Sequence, residues 1–357
     1  MSKFIKKNKW FLISILIPCL ILICLSTIKV KKDIIVPSTI NSIENIIAID
    51  GESKLTGSIN VVSVYSYEKV SLLSYLLASC NPYAHIDDNI EYTNINNKKA
   101  YIGGIIQKDC SINNAIIAGY KEAGFQIKSK FQGYYVDSAT TYLDKNLDIG
   151  DMIISINGEK LDNYYTPYLA IRKSNTKMVN MEIIKNYYGG NREISTITVK
   201  AQELKNAEGK VVYSYGFSAD SYNIPENDDS YPKFTILWDN VDSIGPSGGL
   251  LQSFYVYEKL TGARLSHNLK IAGTGTVDIS GNAGLIGGIG QKIISAELSK
   301  VDVFFIPVTS KDYENNPNEV NYLEAVEEYR KLKNPHMKIV PVWNLSCIIE
   351  YLAECQG

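Results

Sequence analysis

Paired cysteines are what this 357-residue chain most plainly lacks. Its six cysteines include no C-x-x-C and no metal-ligand spacing, which excludes a zinc ribbon and leaves a disulfide framework without support. Cys347 and Cys355 stand far enough apart to need about 12 Å of helical rise, too far to bridge. Free thiols are the expectation. A basic face is lacking too. The net charge is −2 and the pI near 6.0, and no run of lysine or arginine occurs beyond the N-terminus. Nothing is therefore present to neutralise a phosphate backbone, which excludes nucleic acid as a partner. There is also no nucleotide loop. Gln291 separates Gly290 from Lys292, and Ile293 stands where a Walker A motif requires serine or threonine. No cofactor is implied.

A cleavage site is absent as well. MSKFIKKNK carries four lysines, and WFLISILIPCLILICLSTI (10–28) then runs 19 residues without a charge. That is roughly 28 Å of helix against a hydrocarbon core of about 30 Å. No small-x-small site follows, and Ile21-Leu22-Ile23 before Cys24 lacks the small residue of a lipoprotein signal. The segment reads as an uncleaved anchor, with Pro18 tolerated inside it. Residues 1–9 then form a cytoplasmic tail, and the bulk of the chain is extracytoplasmic, since four lysines outweigh Lys29, Lys31 and Lys32.

What is present is a folded chain: 45% hydrophobic and 21% charged suits a globular protein of two or three domains. A first region, 33–124, starts with a polar stalk over 33–53. GSINVVSVYSY (57–67) follows as a strand, and 71–80 as a helix with an apolar face at 72, 73, 76 and 77, stopped by Asn81-Pro82. A second helix is predicted at 109–123, capped by Asp109 or Ser111 and closed by Gly124. These apolar helices either pack on the next domain or serve as docking surfaces near a membrane. In 125–203, FQGYYVDSA (131–139) predicts a strand. LDIGDMIISINGEKL (147–161) then turns at Gly150-Asp151 and Asn157-Gly158 around an apolar strand. A helix at 162–174 and two strands around Gly189-Gly190 complete the unit.

The densest signal lies in 236–300. Ser247 sits in Gly245-Pro246-Ser247-Gly248-Gly249, after the strand FTILW (234–238) and before a helical stripe of Leu250, Leu251, Phe254 and Tyr257 ended by Gly262. Its hydroxyl is thus placed at the positive end of a helix, where free N–H groups suit an oxyanion. A plain N-cap is the alternative. Seven glycines run from Gly273 to Gly290, arranged as a hairpin through Ser280-Gly281-Asn282, and Lys292 opens a further helix among Ile289, Ile293 and Ile294. Acting as a base near neutrality requires its pKa to fall from about 10.4 to about 7–8, and desolvation alone supplies shifts of about 3–5 units. A solvated or anion-binding lysine is the alternative. Beyond it, 301–308 and 338–342 read as strands, and 319–333 and 344–355 as helices.

Two resemblances follow from these motifs. G-D-x-I-x-x-I-N-G-x-x-L at 150–161 resembles bacterial, protease-associated PDZ domains, which implies a peptide groove whose carboxylate-binding loop would be Phe131-Gln132-Gly133-Tyr134. G-P-S-G-G, A-G-T-G-T and I-G-G-I-x-x-K, with serine and lysine 45 residues apart, resemble the proteolytic domain of Lon-type proteases. Taken whole, the chain resembles the membrane-anchored, PDZ-containing Lon-like proteases of Gram-positive bacteria. The resemblance implies an α/β and α+β multidomain chain: anchor 10–28, α+β region 33–124, PDZ-like domain 125–203 and proteolytic domain 204–357. It implies Ser247 as nucleophile, Lys292 as general base and Thr274 as a partner for the lysine amine, with Gly245, Pro246 and Gly248 forming the nucleophile loop. Peptide or protein substrates fit the same likeness, with a homo-oligomer as a possible assembly; without a nucleotide motif, cleavage is expected to be independent of ATP. The family usually places alanine after the serine; this chain has Gly248. Two other readings stay open. Gly245-x-Ser247-x-Gly249 also matches a hydrolase elbow, with Asp302 and His336 in triad order but no His-Gly-Gly segment upstream. A PDZ adaptor with an inactive protease domain is the other, against which the joint presence of serine, lysine and threonine speaks.

Overall fold

The computed structural model describes residues 8–51, 54–88, 97–205, 209–240 and 243–355; most of the predicted tail, residues 1–7, lies outside these. The chain is mixed α/β, with eight α-helices and several sheets among the described residues. Helix α1 (Lys9–Thr27) buries none of its apolar span Trp10–Thr27 and contains Pro18. It is long and apolar enough to cross a bilayer, a property it shares with signal sequences.

The chain leaves α1 directly into strand β1 (Lys32–Ser42), then β2 (Ile47–Ile49) and β3 (Ser58–Tyr67). The stalk expected at 33–53 is therefore not a stalk. KDIIVPSTINS looks polar and carries a proline, yet β1 pairs antiparallel with β3, and Pro37 falls at the register break between Pro37 and Ile40, a place where a missing N–H is tolerated. Ile43, Ile46, Ile47 and Ile49 are buried. Helix α2 (Leu72–Ser79) is capped by the Ser71 hydroxyl and precedes β4 (His85–Asp88). Helix α3 (Asn97–Glu122) begins well before the predicted 109, so Asp109 and Ser111 lie inside it rather than capping it. Gly103 and Gly104 weaken the local helical signal, but contact demands them. A Cβ at Gly103 would stand 2.0 Å from the Asp137 carbonyl oxygen, and one at Gly104 would stand 3.1 Å from Ile244.

Strands β5 (Ser129–Ala139), β6 (Met152–Ile156) and β7 (Glu159–Lys160), helix α4 (Pro167–Ser174), and strands β8 (Met178–Ile184) and β9 (Ile194–Lys200) follow. After the small ribbon of β10 (Gln202–Lys205) and β11 (Val211–Ser214), strand β12 (Phe217–Pro225) pairs back onto β5. The sheet order β12-β5-β6-β8-β9 therefore extends past the expected boundary at 203. Strand β13 (Phe234–Ile236) pairs with β2.

The remaining elements build the larger sheet, ordered β18-β17-β14-β3-β1-β4. They are α5 (Gly249–Thr261), β14 (Lys270–Gly273), the β15–β16 pair (Thr276–Val277 and Ala283–Gly284), α6 (Ile289–Leu298), β17 (Val303–Pro307), α7 (Val320–Lys331), β18 (Lys338–Val342) and α8 (Leu345–Glu354). Strands β3, β14, β17 and β18 run parallel. A parallel sheet covered on both faces needs strands apolar on both sides, and β17 is buried throughout. Val303 and Phe305 join the core against α5 and α8, whereas Phe304 and Ile306 join the core against α6 and α7. Strands from both ends of the sequence thus share one sheet: β1 and β3 complete it rather than pack on it. Helix α3 serves both sheets. Ile106 and Cys110 pack with Tyr135 and Met152, while Ile112, Ile116 and Tyr120 pack in the larger core.

Candidate functional site

Ser247 stands one residue before the N-cap of α5, which is Gly248, and no side chain caps that helix. The N-cap reading of the serine is therefore wrong: its hydroxyl is spared local duty. Gly245 turns the loop with φ +90°, a conformation that suits glycine. Two contacts from α3 hold the loop in place. The Gly245 N–H donates to the Gly104 carbonyl at 2.8 Å, and the Ser111 hydroxyl donates to the Pro246 carbonyl at 2.7 Å. A Cβ at Gly248 would meet Val61 Cγ1 at 3.0 Å, tight enough to explain glycine where alanine was the family expectation. The amides of Ser247 and Gly248 have no hydrogen-bond partner among the described residues.

Beneath the loop lies the turn after β14. The Ser247 carbonyl accepts from the Gly275 N–H at 2.8 Å and from the Thr274 hydroxyl at 3.1 Å. Thr274 Oγ1 in turn accepts from Lys292 Nζ at 3.0 Å. Lys292 sits one turn into α6, whose N-cap Gly288 has φ +68°; it is only 4% exposed. Burial pushes its amine down to about 8, with the Glu324 carboxylate opposing the shift. An apolar wall makes the neutral form accessible near neutrality.

The structure therefore brings Ser247, Thr274 and Lys292 together. Thr274 bridges the lysine to the serine backbone, and Ser247 and Lys292 line one cleft of about 800 Å³ without a direct hydrogen bond between their side chains. Catalytic hydrogen bonds in ligand-free sites are often long and tighten on binding. The cleft walls come from β1, β3, α3, the 243–248 loop and Leu285–Gly287. Strand β14 pairs with β3 only as far as Val61, so the β3 edge beyond Val61 carries no strand on that side and faces the cleft.

Other predicted residues lie elsewhere. Asp302 and His336 do pair, at 3.0 Å, but at the opposite end of the sheet. Asp302 receives the Lys270 N–H at the start of β14, whereas Thr274 follows its end. Four strand residues separate the two ends by about 13 Å, and neither Asp302 nor His336 lines the cleft. Phe131, Gln132, Gly133 and Tyr134, expected as a carboxylate-binding loop, are inside β5. Gly133 pairs with Tyr222 and Tyr134 with Ile153, and the Tyr134 hydroxyl donates to the Asp162 carbonyl. Their amides belong to a sheet rather than to an open loop.

Residue types alone did not reveal Gly104 and Ser111, which act from more than a hundred residues away. Nor did they reveal Asp137 and Asp220. These carboxyls line a second cavity of about 400 Å³ behind the loop, bounded also by Ser111, Pro246 and Thr276. Asp137, at a bulge of β5 where Ser138 and Val136 pair with consecutive residues of β12, is 3% exposed, and neither oxygen has a hydrogen-bond partner among the described residues. Burial raises both carboxyls, and the neighbouring Asp220 charge raises Asp137 further. The chain matches no protein-family model and no curated protein.

Proposed function

We propose that this chain is a membrane-anchored serine endopeptidase that cleaves peptide or protein substrates outside the cytoplasm, without ATP, through Ser247 and Lys292. The larger sheet with α5 and α6 is read as a Lon-type proteolytic unit, and the β12-β5-β6-β8-β9 sheet with α4 as a PDZ-like unit for substrate recognition or gating. The observation that carries this reading is the buried Lys292 amine on the floor of the serine's own cleft, held by Thr274 against the Ser247 carbonyl. A buried ammonium with no carboxylate bonded to it is costly, and catalysis by the neutral amine accounts for keeping it.

In the proposed reaction an extended peptide lies along the unpaired edge of β3. Neutral Lys292 Nζ takes the Ser247 proton as Oγ attacks the scissile carbonyl carbon. The oxyanion faces the unpartnered Ser247 and Gly248 amides, where preorganised donors stabilise developing charge. Collapse passes the proton from Lys292 to the leaving amine and leaves an ester on Ser247. Water, deprotonated by the same amine, then hydrolyses that ester. Ser247→Ala and Lys292→Ala should each lower turnover of a peptide substrate by a factor on the order of 10⁶, and His336→Ala should leave it unchanged. Loss of turnover in His336→Ala with retention in Lys292→Ala would sink the reading.

A further inference from the structure

We propose that α2 lies on the surface of the bilayer and, together with Tyr67 of β3, makes a second contact with lipid beside the spanning helix. This rests on reading α1 as membrane-spanning. The backbone joins the two helices where α1 ends. Ile28, which caps α1, accepts the Leu72 N–H at 2.8 Å, Val30 donates to Val70 at 3.0 Å, and Lys29 bridges antiparallel to Ser71. The first residue of α2 is thus one strand spacing, about 5 Å, from the point where the chain emerges. Helix α2 has no freedom to sit far from the headgroups.

Its composition suits that place. Ala78 is its only buried side chain, while Leu77 is 65% and Leu76 45% exposed. Tyr67, 53% exposed, lines one concavity of about 650 Å³ with Leu77, Ser26 of the last turn of α1, and Lys29. Tyr65 stands on the same face as Tyr67, their rings 6.5 Å apart. A groove with one wall formed by the spanning helix is filled by lipid wherever that helix is in lipid. Amphipathic helices embed leucines at the headgroup–acyl boundary, and tyrosine is enriched at that level. Exposed Lys29 and Lys31 then stand at the height of anionic headgroups. A protein partner would need no such continuity with α1, so lipid is the occupant.

The test uses the full chain in phosphatidylglycerol–phosphatidylethanolamine vesicles, with exposed Cys19, Cys24, Cys80 and Cys355 changed to serine. An environment-sensitive fluorophore is attached in turn through Leu77→Cys, Leu22→Cys in α1 and Leu323→Cys on the exposed face of α7. The Leu77 label should be quenched several-fold more by nitroxides at the headgroup–acyl boundary than by aqueous iodide. The Leu323 label should show the reverse, and the Leu22 label should respond to deep nitroxides. A deep Leu22 label with an aqueous Leu77 label overturns the inference and leaves the anchor standing. An aqueous Leu22 label overturns the spanning helix and the inference with it. Because no arm measures turnover, the outcome is independent of the protease reading.

Discussion

In the proposed reaction a single amine, that of Lys292, carries most of the chemistry at the residue scale. Lys292 is charged in an unfolded chain up to about pH 10.4 but only below about 8 in the folded one. If its neutral form is the base, kcat/KM should rise with pH and level off above about 8, as a pH profile on a peptide substrate would register. Thr274→Val, which removes the hydroxyl joining Lys292 to Ser247, should lower kcat with little change in KM, and Thr274→Ser should restore it. The same depressed pKa has a thermodynamic side. Below about pH 8 the folded protein bears the cost of a buried ammonium; between there and the unfolded value that cost fades, so stability rises with pH. Lys292→Met removes the charge and keeps the volume. It should raise stability at neutral pH by roughly 3 kcal/mol, the free energy of a shift of that size, and a thermal melt would read it. A mutant that is inactive yet more stable is the signature of a strained functional group rather than a structural one.

Strands and helices set the next scale. The carboxyl pair of Asp137 and Asp220 sits where α3, the bulged β5 and β12 meet, behind the loop that carries Ser247. Both carboxyls are raised by burial. The folded state therefore holds protons that the unfolded state releases near pH 4. The contribution is present below the unfolded value and is lost as pH rises through the raised folded value. Asp137→Asn should flatten this fall and stabilise the protein on the alkaline side, as melts across a pH series would show; a fall of unchanged slope would refute the assignment. Elements also differ in how legible they were. VDVFFIPV could be read as a doubly covered strand because every residue but Asp302 is apolar, and the Leu250–Tyr257 stripe marked α5. Strand β1 was not legible. Its sequence is interrupted by Pro37, and it is made a strand by pairing with β3 on one side and β4 on the other and by the Ser38 N–H donating to Ser295. Helix α3 was half legible because Gly103 and Gly104 answer to Asp137 and Ile244 rather than to helical propensity.

For the molecule as a whole, Ser247 and Lys292 could be singled out because glycine-rich turns and helix starts are local, whereas Thr274 came from the resemblance those motifs carry. The contacts that hold them, Gly104 and Ser111 on α3, could not, since no local pattern links residue 111 to residue 246. Sheet membership was also hidden: β1, β3, β14, β17 and β18 are drawn from both ends of the chain, and only tertiary pairing joins them.

Strand β3 also acts as a ruler. In the proposed membrane contact Tyr67 marks its lipid end, and a Cβ at Gly248 would meet Val61. Six strand residues, about 20 Å, separate the two. With its lower end fixed at the lipid surface, such a ruler would let cleavage begin only some six extended residues above the membrane. Stubs of tethered polypeptides shorter than that would survive, whatever their sequence, because they cannot reach the hydroxyl.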